Sequence, residues 1–133
     1  MTNHQVVLPE GSPRPKGYAN AVIARGRMLS IAGMIGWDAN CQFHSDDFGE
    51  QARQALKNVA DVLRQAGAKP ENIVRMTWYV TDKREYLAAG RQVGQAFRDL
   101  IGHYDIAMTA VEVKALIEDR AKVEIEVTAM LPD

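Results

Sequence analysis

Residues 48–81 read FGEQARQALKNVADVLRQAGAKPENIVRMTWYVT, a helix that runs into a strand, and this stretch decides the fold. Phe48, Ala52, Ala55, Leu56, Val59, Leu63 and Ala66 recur at the spacing of one face of a 3.6-residue helix. Ser45, Asp46 and Asp47 supply an N-cap and negative charge at the positive end of the helix, and Gly67 supplies its stop. From Asn72 to Thr81 the period changes to two. Val74, Met76, Trp78 and Val80 form the expected core side, and Ile73, Arg75, Thr77, Tyr79 and Thr81 the other.

Upstream, Ala21–Arg25 and Met28–Gly33 read as strands joined by Gly26-Arg27, where Gly26 offers the positive φ of a hairpin turn. Before them, Pro9, Pro13 and Pro15 favour an extended arm over residues 1–16. The stretch from Gly36 to Ser45 reads as a loop. Downstream, Asp82 and Glu85 resemble a capping box opening a second helix, with Leu87, Val93, Ala96, Phe97, Leu100 and Ile101 inward and Gly102 at its end. Two alternating runs, Val111–Ala115 and Val123–Ala129, follow with Glu118-Asp119 turning between them as a second hairpin.

Hairpin, helix, strand, helix, hairpin is an α+β order, and one sheet with two helices on one face is its economical packing. The other face then holds Arg75, Thr77, Tyr79, Glu112, Glu124, Glu126 and Thr128. It is too polar for a core and too rich in β-branched and aromatic groups for bare surface. It is either half-solvated or packed against copies of itself.

Composition narrows the function. The 133 residues are 47% hydrophobic and 25% charged with a formal net charge of −1, the profile of one soluble domain over 1–133. No basic excess is present to neutralise phosphates, which argues against nucleic acid as a partner. No apolar run is long enough to span a bilayer, and residues 1–16 lack a signal-peptide core, so the expected location is the cytoplasm. Cys41 is the single cysteine, which excludes an internal disulfide and a cysteine metal cluster. GxxxxGK[ST], GxGxxG, HExxH and GxSxG are all missing, and no cofactor or metal is expected. His4, His44 and His103 are scattered and read as surface groups.

Three carboxylates, Glu112, Glu124 and Glu126, are the sharpest local feature. Carboxylates on neighbouring strands can raise one another's pKa and hold a reactive water. From the residues alone, a solvated face balanced by Arg75, Lys114 and Lys122 is the simpler reading. Tyr18 and Trp37, in loops beside glycines, are placed either to line a pocket or to pack beneath those loops.

The element order together with Leu29–Ile35, Gln51–Val59, Leu63–Gly67, Val74–Asp82, Phe97, Val111–Leu116 and Lys122–Glu126 resembles the YjgF/RidA superfamily, also labelled endoribonuclease L-PSP. The resemblance covers about residues 17–130. It implies a chorismate-mutase-like fold and a homotrimer whose small-molecule clefts lie between subunits. The implied chemistry is cofactor-free hydrolysis of enamines and imines to ketones and ammonia.

By that resemblance Glu124 matches the glutamate that positions the attacking water. Tyr18 matches the aromatic at the cleft mouth, Gly33 the backbone contact, and Arg91 a cleft position where asparagine is more usual; Ala32 stands where serine is usual. Deaminating members carry Pro-Ala-Arg-[Ser/Thr] before the Val-Glu-Val strand, whereas this chain reads Ile106-Ala107-Met108-Thr109. Methionine has no donor to offer a substrate carboxylate. Losing a charge-assisted hydrogen bond of about 1.5–3 kcal/mol weakens such binding roughly 10- to 150-fold. Met108 and Trp37 together imply a more apolar cleft. The expectation is a deaminase of altered substrate range, with a non-catalytic metabolite-binding trimer and a ribonuclease or translation inhibitor as the alternatives.

Overall fold

A computed structural model describes residues 4–133. The elements are strands β1 (Gln5–Val7), β2 (Ala21–Ile23) and β3 (Arg27–Ile35), helix α1 (Phe48–Gln65), strand β4 (Ile73–Val80), helices α2 (Lys83–Ala88) and α3 (Gly90–Leu100), and strands β5 (Ala107–Glu112) and β6 (Val123–Leu131). A 3-10 turn, Pro70–Asn72, leads into β4.

Helix α1 forms where its apolar period places it. Asp47 caps it by accepting a hydrogen bond from Glu50 N at 3.0 Å, and Gly67 leaves it at φ +75°. Its inward residues from Phe48 to Leu63 are buried, while Ala66, in the C-cap, is exposed. Asp82 opens α2 by accepting from Arg84 N and Glu85 N. The expected capping box is incomplete, because Glu85 directs its carboxylate to Lys122 Nζ at 3.0 Å. The single second helix is also two, with a break at Ala89-Gly90, and Leu87 lies outward at 64% exposure.

The sheet order is β3-β6-β4-β5, mixed, with β4 and β5 parallel and the other pairs antiparallel. Neither expected hairpin exists. Strand β2 pairs with β1 in a separate two-stranded sheet, which turns part of the N-terminal arm into a strand, while β3 pairs with β6. Gly26 does adopt φ +134°, but its role is close approach: a Cβ there would overlap the Leu131 carbonyl. Strand β5 begins at Ala107 and returns beside β4 after the α2–α3 crossover, so β6 enters the middle of the sheet.

Helices cover one face. Met76, Trp78 and Val80 from β4 join Val123, Ile125, Val127 and Ala129 from β6 beneath Ala52, Leu56, Val59 and Leu63, every one at most 3% exposed. Ile73 is also fully buried and Val74 only half-buried, the reverse of the expected alternation. The register between β4 and β6 shifts between Ile73 and Arg75, and a one-residue slip exchanges faces.

Candidate functional site

On the open face, Glu124 of β6 lies between Tyr79 of β4 and Ile35 of β3 in the strand register. Strand β3 bulges between Ile31 and Met34, and Gly33 sits inside that bulge. A Cβ on Gly33 would overlap the Glu124 carboxylate, so glycine is what lets this half-buried side chain lie flat against the backbone. Among the described residues that carboxylate accepts no hydrogen bond and forms no ion pair. Its neighbour Glu126 is engaged, accepting from Tyr79 Oη at 3.0 Å. That hydrogen bond, followed by burial and by the charges of Glu126 and Glu124, pushes the Tyr79 hydroxyl above its ordinary pKa.

Glu112 does not join this group. In the parallel register it stands beside Val80, on the helix side, and its Oε1 accepts from Lys83 N at 2.8 Å. The expected trio of carboxylates is therefore a pair. The reason is topological, since β6 is a neighbour of β4 and not of β5.

Met108 also faces the helices. It stands beside Met76 in register and packs against the core. With Gly17, Trp78, Tyr86, Val93, Phe97 and Tyr104 it lines a chamber of about 380 Å³. Tyr18, 44% exposed, belongs to an adjoining polar pocket with His4, Arg14 and Asp105. Arg91 is exposed on the first turn of α3, next to Gly90 of the chamber wall. Trp37 lies apart from these, its ring 5.9 Å from that of Phe43, which in turn carries the Arg120 guanidinium at 5.5 Å.

Within one chain the residues thus form two groups: Glu124 with Gly33 on the open face, and Met108 beside Gly17 and Tyr18 on the helix side. Two residues of the segment Gln51–Val59 to which the sequence assigns no role support the first group. Gln51, 1% exposed on α1, donates to Ser45 O and Arg120 O and accepts from Lys122 N, clamping the turn that delivers β6. Asn58 donates to Ile35 O at 2.9 Å and Trp37 O at 2.8 Å, tying down the end of β3. Gln51 sits three residues after Phe48, on the apolar face of α1, and a polar residue there is the signal that reveals it.

Fold and residue placement define the class: an α+β protein with one mixed four-stranded sheet, helices on one face, and its chemistry-bearing residues divided between both faces. The family described as Endoribonuclease L-PSP matches residues 11–131, and the chain belongs to that family, the YjgF/RidA or Rid group. It is 35% identical to a RutC family protein of Aquifex aeolicus over 90% of this chain and 93% of that one. It is 32% identical to the human 2-iminobutanoate/2-iminopropanoate deaminase over 85% of this chain and 79% of that one. The crystal structure of the Rid family protein YyfB from Yersinia pestis superposes with a TM-score of 0.85 at 34% identity, covering 98% of this chain and 100% of that one. No helix among the described residues is long and apolar enough to cross a membrane.

Proposed function

We propose that the protein is a cofactor-free imine or enamine deaminase, built from one domain per chain and working as a cytoplasmic homotrimer with clefts between copies. The observation that carries this reading is the half-buried Glu124 carboxylate, held against Gly33 with no partner in its own chain among the described residues. A carboxylate in that state is free to accept a hydrogen bond from water and to take its proton as the water adds to an imine carbon. Ammonia then leaves and a ketone remains. The relatives named as deaminases support the same chemistry.

The division of the site supports the assembly. Glu124 and Met108 lie on opposite faces of one sheet, so a cleft that uses both draws them from two different copies. The open face, which leaves Met28 and Val111 at 68% and 42% exposure, is the surface available for such packing. Met108 in place of arginine favours substrates that do not depend on a carboxylate fork at that position. It equally motivates a second reading, a trimer that binds a small metabolite without turning it over.

Keto-acid release from enzymatically generated 2-aminoacrylate and from larger imines tests both, with light scattering to read the mass against the 14.8 kDa chain. The wild type is expected to accelerate hydrolysis of at least one larger imine, and Glu124→Gln to reduce that rate about 10²- to 10⁴-fold. Met108→Arg is expected to raise the rate on 2-aminoacrylate. If no imine is hydrolysed faster than in buffer while ligands still raise the melting temperature, the binding reading replaces the deaminase. RNA cleavage that persists through repurification and is lost in Glu124→Gln replaces both.

A further inference from the structure

The chamber beside Met108 has a composition of its own. Its wall is aromatic and aliphatic, and two glycines one helical turn apart, Gly90 and Gly94 of α3, leave it open. A Cβ on Gly90 would meet nothing within 4 Å, and one on Gly94 only Arg98 Nη1 at 3.5 Å. The basic groups of the lining are Arg98 and His103, and no carboxylate lines it. Arg98 is held by a side-chain bond to Gln95 Oε1 at 3.2 Å, and the nearby Asp99 carboxylate is occupied by Arg53 and Gln95. The wall also contains Trp78, whose buried Nε1 is the single buried side-chain polar atom without a partner among the described residues.

A volume of about 380 Å³ lies within the range of small-molecule pockets, at its lower end. Apolar walls that include the Arg98 guanidinium and the donor-capable His103 ring complement a compact molecule that has an apolar ring at one end and an anionic group at the other. They do not complement a three-carbon acid, which would leave most of the aromatic surface wet.

We propose that this chamber, between α2, α3 and the start of β5, takes the side chain of an aromatic 2-imino acid or of its 2-keto acid product, with Arg98 and His103 facing its carboxylate. The proposal rests on the deaminase reading for its chemistry, but the chamber's selectivity is a binding property and is tested as one. Met108 then forms part of the floor under the ring, and the carboxylate contact has moved to Arg98 and His103.

Titration calorimetry with phenylpyruvate and with pyruvate, on the full chain, reads the selectivity. The wild type is expected to bind phenylpyruvate at least about 10-fold more tightly than pyruvate, the gain associated with burying one ring. Gly94→Leu fills the chamber and is expected to abolish that preference with the melting temperature and oligomeric mass unchanged. Gly90→Leu repeats the test if Gly94→Leu does not fold. Arg98→Gln is expected to weaken phenylpyruvate about 10-fold. Equal affinity for the two acids overturns the proposal, as does a preference that survives in folded Gly94→Leu, or a change of oligomeric mass in that variant, which makes the chamber a subunit contact. Imine turnover without ring preference removes the chamber and leaves the deaminase reading in place, whereas ring preference without turnover does the opposite.

Discussion

The two faces of the sheet are made from alternate residues of the same strands and are finished to different degrees. On the helix face Met76, Trp78, Val80, Ile125 and Val127 are each at most 3% exposed. On the open face Met28 is 68% and Val111 42% exposed, interspersed with Arg75, Tyr79 and Glu126. Along β4 and β6 the helix face is filled within a single chain, leaving only the chamber beside Met108 at its β5 end, whereas the other face holds apolar groups that the chain itself does not cover. The contrast separates two jobs. Stability resides under the helices, and the open face carries groups left uncovered within the chain.

The largest test of this separation is Leu56→Ala. Leu56 is fully buried under the sheet, and its truncation is expected to cost about 2–5 kcal/mol, read as a lower midpoint in urea. Gln51→Ala comes next. It leaves Lys122 N–H and the carbonyls of Ser45 and Arg120 without their partner, at an expected cost of about 1–3 kcal/mol. Because those bonds hold the turn before β6, the same variant is expected to lower any activity that depends on Glu124, and intact activity would show that the clamp serves the core alone.

The smallest effect belongs to the open face. The Tyr79 hydroxyl is raised in pKa by its bond to Glu126, so its stabilising effect is fully present below the ordinary tyrosine value and is lost as pH rises through the raised one. Tyr79→Phe is expected to leave stability at neutral pH nearly unchanged and to flatten that alkaline dependence, measured by thermal melts from about pH 8 to 11, a window that brackets the tyrosine range. A large neutral-pH loss would erase the contrast between the faces.

How much of the fold is legible in the sequence follows from range. Helix α1 is readable to its caps, because Asp47, the apolar spacing and Gly67 act within a few residues of one another. Strand β4 is readable apart from the slip at Ile73, which depends on its pairing with β6. Pairing itself is not legible. Residues 21–33 have a hairpin's pattern, yet β2 joins β1 and β3 joins β6, and both choices are made by segments distant in sequence. The same dependence on strand order separates Glu112 from Glu124. For the site, the residues carried over by resemblance mark positions, but their division between two faces appears only once the strand order is known. Gln51 and Asn58 are present in the pattern as polar breaks near the apolar face of α1, and apart from Ser45 their partners, Arg120 and Lys122 for one and Ile35 and Trp37 for the other, lie too far away in sequence to be read.

The place of β6 has a consequence in time. A chain emerging from the ribosome makes β3 and β4 long before residues 123–131 exist, and those two strands pair not with each other but each with β6 between them. The sheet is thus closed by the strand made last, and before that α1 has only half a surface to cover. The same strand brings Glu124. Completion of the fold and arrival of the Glu124 carboxylate are a single event, so no nascent chain presents that group before it carries the core.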